Sequence, residues 1–207
     1  MAMAGKVGAV YASDVGTAPV PFVDKPTTPD AERKRFQVTD PGCRYWDPET
    51  PVTVKIDGDI VTTGFTLEGA GGFVVFDEAQ DSEAVVTVSG SALSIDQAGG
   101  FFNWSVDAEV DEAEATTFES QGWKEFKPIL KGWSGSAEAF WGDERFFESL
   151  GKVVVVKLFV DAGPSQTCLE GYAIITSEGV EAPVDGLVEQ SIDFRGVGPL
   201  CLRGFGE

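Results

Sequence analysis

GWKEFKPILKGWSGSAEAFWGDERFFESLGKVVVVKLFVD, residues 122–161, reads as strand, short helix, strand. Its first part is an aromatic-rich extended segment that carries Trp133, Phe140 and Trp141. Residues 143–150, DERFFESL, suit one short helix: Asp143 is a good N-cap and Gly151 a good stop. Phe146, Phe147 and Leu150 fall on one side, the pattern of a helix lying on a sheet. Residues 153–160 are almost wholly apolar and form a core strand. Everything on either side looks like more β-structure seeking a partner.

Working backwards, residues 101–111 (FFNWSVDAEVD) alternate strictly. Phe102, Trp104, Val106, Ala108 and Val110 take one face; Asn103, Ser105, Asp107, Glu109 and Asp111 take the other. That is a half-buried strand with an acidic wet face. Glu112, Glu114 and Glu119 prolong the acidic run, and no Lys or Arg follows until Lys124. A catalytic acid/base pair among these carboxylates is the alternative to a solvated face. Earlier, residues 73–76 (FVVF) and 85–90 (VVTVSG) are strands, and residues 52–56 and 60–63 flank Asp57-Gly58-Asp59, a hairpin turn. Asp57 and Asp59 also open a calcium-loop pattern, but its later ligands are missing at the required spacing. The glycines at 69, 71 and 72 are followed by a strand and by no Lys-Ser/Thr pair, so they cradle no phosphate. Residues 36–39 form a strand that turns at Asp40-Pro41-Gly42.

Beyond the central stretch, Gly163-Pro164-Ser165 turns the core strand into residues 167–176. In residues 187–195, Val188, Gln190, Ile192 and Phe194 face one way and Glu189, Ser191, Asp193 and Arg195 the other. A glycine-rich tail closes the chain. At the start, Pro19, Pro21, Pro26 and Pro29 mark residues 1–32 as an extended N-terminal arm, and residues 33–207 as a single domain.

Composition narrows the function. The 207 residues hold 34 acids against 15 bases, a net charge of −19, which repels phosphate backbones and anionic membranes. With no histidine, the commonest general base, the Ser/His/Asp and Cys/His triads and most zinc and copper sites are absent. Cys43, Cys168 and Cys201 are odd in number and widely spaced, so they read as reduced thiols of a cytoplasm. No signal-peptide core and no run of about 18 apolar residues appears, and a soluble chain is expected. No enzyme activity, cofactor or metal is expected.

Many antiparallel strands, one short helix and acidic faces without a catalytic inventory resemble the major tail tube proteins of long-tailed bacteriophages. The residues that carry the resemblance are Arg44-Tyr45-Trp46-Asp47-Pro48 leading to Val52-Thr53-Val54, Gly72-Phe73-Val74-Val75-Phe76 with Val85 to Gly90, and Thr116-Thr117-Phe118 with Gly122-Trp123. Ser134-Gly135-Ser136 running to Phe140-Trp141, residues 146–150 and Gly171-Tyr172-Ala173-Ile174-Ile175 complete it, over most of residues 36–197. The resemblance implies an all-β fold of two packed antiparallel β-sheets and a helix, six copies in a ring, and rings stacked into a tube that conducts genomic DNA. It also implies self-association, a tape measure protein, tail terminator and distal tail proteins as partners, residence in the virion tail, and synthesis in a bacterial cytoplasm. The lumen would be acidic, lined by Asp107, Glu109 and Asp111 or by Glu189 and Asp193. DNA then passes without specific binding, and the chain binds no membrane. The alternative is a monomeric carbohydrate- or peptide-binding β-sandwich with Trp residues as a stacking platform, although Trp104, Trp123, Trp133 and Trp141 on strand-like segments also suit core packing.

Overall fold

The computed structural model describes residues 9–117, 119, 121–142, 145–161 and 166–204. Among them the regular structure is β apart from one turn of α-helix, a 3₁₀ turn at Pro41–Cys43 and a 3₁₀ conformation at Glu119. In order, the strands are β1 (Ala9–Ser13), β2 (Val20–Pro29), β3 (Arg35–Val38), β4 (Thr53–Ile56), β5 (Asp59–Val61), β6 (Phe65–Glu68), β7 (Phe73–Phe76), β8 (Val86–Ala92) and β9 (Ile95–Ala98). Then come β10 (Phe101–Glu114), β11 (Phe126–Phe140), helix α1 (Arg145–Glu148), β12 (Val153–Phe159), β13 (Cys168–Glu181) and β14 (Glu189–Arg203). Two seven-stranded sheets result, ordered β10-β11-β14-β13-β12-β1-β9 and β5-β4-β8-β2-β3-β7-β6. The pairs β10–β11, β11–β14, β13–β14, β2–β3, β2–β8, β3–β7, β4–β5, β4–β8 and β6–β7 are all antiparallel.

The chain divides into two compact units where one domain was expected. One is built from Ala98–Val154 and the residues from Leu158 onward, with Ala9 and Val10; the other from Tyr11–Gln97 with Val155–Lys157. The second unit is held by the alternate side chains of its short strands. Phe22, Phe36, Val38, Trp46, Val54, Val74, Phe76 and Val88 form one apolar cluster. Phe36 and Phe76 meet edge to face at 5.5 Å, and the Trp46 indole N–H donates to the Cys43 carbonyl at 2.9 Å, so the buried ring leaves no unpaired donor. The Asp57-Gly58 turn forms as expected: both residues have positive φ, 54° and 92°, and Ile56 faces Asp59 across a two-residue loop.

The free arm expected over residues 1–32 is not what residues 9–29 do, since they form β1 and β2. The prolines of β2 are tolerated because its pairing changes hands. Residues 20–26 pair with β8 and residues 27–29 with β3, so no residue of β2 has a registered partner on both sides. A proline therefore needs no second ladder bond. Asp24, at φ 47°, sits in the bulge between Phe22 and Lys25 that bends the strand, and Lys55 clamps it at 2.8 Å.

Helix α1 is shorter than expected, and the Asp143 cap lies outside the described residues, as does the Gly163-Pro164-Ser165 turn. Phe146 is buried against Phe101 with ring centroids 5.7 Å apart, but Phe147 and Leu150 are exposed. Adjacent helical residues point about 100° apart, so a helix this short buries one of them. Gly151, at φ 74°, ends it and donates to the Ile175 carbonyl at 2.9 Å, tying the helix end to β13.

Candidate functional site

Four strands dominate the first unit: β10, β11, β14 and β13, of 14, 15, 15 and 14 residues. At about 3.3 Å per residue each is roughly 45 Å long, far beyond the usual strand. Their registers fix which residues share a face. Asn103, Ser105, Asp107 and Glu109 of β10 lie opposite Glu138, Ser136, Ser134 and Gly132 of β11. Those β11 residues in turn face Ser191, Asp193 and Arg195 of β14, and Phe140 faces Glu189. On β13, Ser177, Gly179 and Glu181 face Asp193, Ser191 and Glu189.

The sequence-derived candidates Asp107, Glu109, Glu189 and Asp193 therefore stand on one face of one sheet, although 80 residues separate the two groups in the chain. Asp111 is exposed but lies at the register break between Val110 and Glu112, beyond the last aligned row. Two further acids, Glu138 and Glu181, belong to the same face. Glu138 was legible in the Ser134, Ser136, Glu138 alternation; Glu181 was not, because β13 runs five residues past Thr176, where its apolar pattern ends. These rows hold six carboxylates against one guanidinium, Arg195. Glu181 and Glu189 are even directly opposed, an arrangement that costs stability. Short side chains make the floor between them: Ser105 and Ser136 share a hydrogen bond at 3.0 Å, and Asn103 donates to Glu138 at 2.9 Å.

The reverse face is apolar and explains why the four strands hold together. Ala137, Ala139, Ile192 and Phe194 are buried there, and so is Trp133. The Trp133 indole lies over Gly196 and Gly171, neither of which has room for a Cβ, and its N–H donates to the Gly198 carbonyl at 3.0 Å. β13 also carries a buried acid, Glu170, and a half-buried one, Glu178. Glu170 is paired with Arg203 at 2.8 Å. Glu178 accepts from the Gln190 amide while its Oε2 is buried without a hydrogen-bond partner, and burial raises its pKa above the ordinary carboxylate value.

Core packing holds for Trp133 and half-buries Trp104, but Trp123 is 79% and Trp141 42% exposed. Both stand just outside the strand: Trp123 in the connection before β11, Trp141 one residue after it. Each stands among exposed apolar residues at one end of the sheet, borne on both of its faces. Trp123 accompanies Val110, Phe126, Ile129 and Leu130, on the part of the β10–β11 hairpin that extends beyond the registered pairing with β14. Trp141 accompanies Phe102, Phe140, Val180, Leu187 and Val188, with Phe102 and Phe140 in ring contact at 4.9 Å. The two tryptophans are separated by the length of β11, so they form no common stacking platform. Among the described residues no group of three or more His, Cys, Asp or Glu is arranged to hold a metal ion, and no helix is long and apolar enough to cross a membrane.

No family model matches the chain, and no curated protein matches it. Solved structures do. The tail of an empty gene transfer agent particle with C6 symmetry is 18% identical, with a TM-score of 0.43, over 52% of this chain and 84% of that one. The virion of a native gene transfer agent particle is 18% identical, with a TM-score of 0.43, over 52% of this chain and 88% of that one. The SPP1 tail tube is 18% identical, with a TM-score of 0.41, over 53% of this chain and 67% of that one.

Proposed function

We propose that this chain is the structural subunit of a bacteriophage tail tube, in which six copies close a ring and stacked rings conduct genomic DNA from capsid to host. The observation that carries the reading is the long four-strand sheet with one acidic face and an exposed apolar patch at each end. Two different patches at opposite ends of one element suit a head-to-tail contact, which propagates without closing and makes a filament. The 14-residue edge of β10 is the second surface. A long open edge is an aggregation hazard, and lateral pairing into a ring removes it. Four strands from each of six copies, about 4.8 Å apart and tilted ~40°, make a barrel roughly 45–50 Å across, wide enough for a duplex once side chains are subtracted.

The acidic face then supplies the lumen. DNA carries a phosphate charge every ~1.7 Å, so a wall bearing Asp107, Glu109, Glu189 and Asp193, with Glu138 and Glu181 beside them, repels the duplex along its whole path. The chain thus serves as a conduit in the virion tail, assembled with itself and with a tape measure protein, a tail terminator and distal tail proteins. It performs no catalysis.

Negative-stain electron microscopy with light scattering at low and high concentration tests the assembly. Hollow filaments or six-membered rings are expected; a protein that remains monomeric near 22 kDa in the presence of tail initiation partners refutes the tube. Lumen placement has its own test. Replacing Asp107, Glu109 and Asp111 by Lys is expected to leave tubes intact and to slow or block DNA ejection, and unchanged ejection removes these residues from the wall.

A further inference from the structure

Arg195 is out of character with the surface that holds it. It is the one cation in the aligned rows of the acidic face, it is exposed, and among the described residues its side chain forms no hydrogen bond or ion pair. Its setting is a shallow depression lined by Ser105, Asp107, Ser134, Ser136, Thr176 and Asp193. The floor is low because β11 contributes only Ser134, Gly135 and Ser136 there. Asp107 and Asp193 flank Arg195 without pairing to it: Asp193 lies two residues along the same strand, and Asp107 lies across Ser134 on the second strand over. The backbone spacings are therefore ~7 Å and ~10 Å. A guanidinium presents five donors in a fixed fork that matches phosphate, and one left unpaired over a small-residue floor is available to an anion from outside.

We infer that Arg195 is a phosphate contact point on this wall, kept weak by Asp107 and Asp193. The inference rests on the tube reading for its biological ligand, the DNA backbone, and names the one height at which the wall touches the duplex instead of repelling it. In a ring of six, the contact recurs once per copy. Two negative charges at those distances lower the local potential enough to reduce phosphate affinity about fivefold in water at low salt. The device gives DNA a brief handhold without retention.

The test uses the full-length protein and a fluorescein-labelled short DNA duplex, with binding read by anisotropy at low salt. Asp107→Asn with Asp193→Asn removes the masking charges and is expected to raise affinity about fivefold over the wild type. Adding Arg195→Gln returns binding to the wild-type level or below, whereas adding Arg195→Lys retains it. The gain falls with a log–log salt slope near −0.9 per phosphate engaged. All three side chains are exposed, so the fold tolerates the changes. Equal binding of the unmasked protein with Arg or Gln at position 195, or no gain on unmasking, overturns the inference. Micrographs of the same samples report on the tube separately. Arg195-dependent binding by a protein that stays monomeric even with tail initiation partners keeps the phosphate contact and removes the tube; filaments without that dependence do the reverse.

Discussion

Gly196→Ala measures how firmly β11 and β14 are fastened. A Cβ at position 196 would lie 2.1 Å from Cε2 and Nε1 of Trp133 and 2.4 Å from its Cδ1. No positive φ marks Gly196, so the penalty comes from space and not from backbone strain. The indole must move by about 1 Å or more, because real Cβ contacts do not approach within 3.0 Å. That shift also breaks the 3.0 Å bond from Nε1 to the Gly198 carbonyl and disturbs the edge-on contact with Phe194 at 6.2 Å. Overpacking costs about 1–3 kcal/mol and a buried donor left unmade about 1–3 kcal/mol, so about 3 kcal/mol is expected together. In a chain of this size that lowers the melting temperature by roughly 6–12 °C. Calorimetry on Gly196→Ala, Trp133→Leu and the double variant makes the assay a cycle. In the Trp133→Leu background the methyl group has room, and its cost is expected to fall below about 1 kcal/mol, a coupling of about 2 kcal/mol. The same penalty in both backgrounds, or a change within about 0.5 kcal/mol in Gly196→Ala alone, refutes the account of Trp133 as the bolt between β11 and β14.

Three further outcomes follow from individual contacts. Burial raises the folded-state pKa of Glu178, so its favourable contribution is complete below the unfolded value near 4.5 and is lost as pH rises through the folded value. Glu178→Gln is therefore expected to raise the urea midpoint at pH 7 and to leave it unchanged at pH 3; a lower midpoint at pH 7 would count against desolvation as the dominant effect on this carboxylate. Asp24 titrates with the opposite sign. The hydrogen bond from Lys55 holds its pKa below 3.8, so the contribution is present above that value and lost as pH falls through the folded one. Asp24→Asn should flatten the acid limb of the stability curve below about pH 4, which chemical denaturation across that range checks. At the hairpin, Ile129 and Leu130 are 58% and 67% exposed, so Ile129→Asp with Leu130→Asp should change monomer stability by less than about 0.5 kcal/mol while abolishing filaments in sedimentation assays; intact filaments would remove this patch from the stacking contact.

The fold was most legible where one physical signal acted alone. Alternation placed Asp107 and Glu109 opposite Trp104 and Val106, and positive-φ chemistry placed the Asp57-Gly58 hairpin. Legibility failed where two signals conflict within a segment. Prolines at 21, 26 and 29 mask β2, because composition does not reveal that its partner changes at residue 27. The tail around Gly196 and Gly198 reads as loop, yet β14 runs through it to Arg203: Gly196 leaves room for Trp133, and Gly198 takes a φ of 82° while its carbonyl accepts the indole N–H. A contact between distant strands decides such residues, and no local window contains it. The candidate face was half legible for the same reason. Each strand declared which residues were wet, but only the register of β11 with both β10 and β14 brings the two acidic groups together.

That register also explains why the acids are placed where they cost most. Glu181 opposite Glu189 repels within the sheet, and a ring would bring further copies of both close by. A surface shaped only for solubility would scatter such charges or pair them, as the second unit does with Lys25 and Asp40, Arg35 and Glu68, and Lys55 and Asp24. The acidic face instead keeps six carboxylates with small neighbours and one cation, while its reverse carries the apolar contacts that hold the strands. A residue change on the wet face therefore alters charge without touching the apolar contacts beneath it, so the charge of this face can vary while the sheet stays the same.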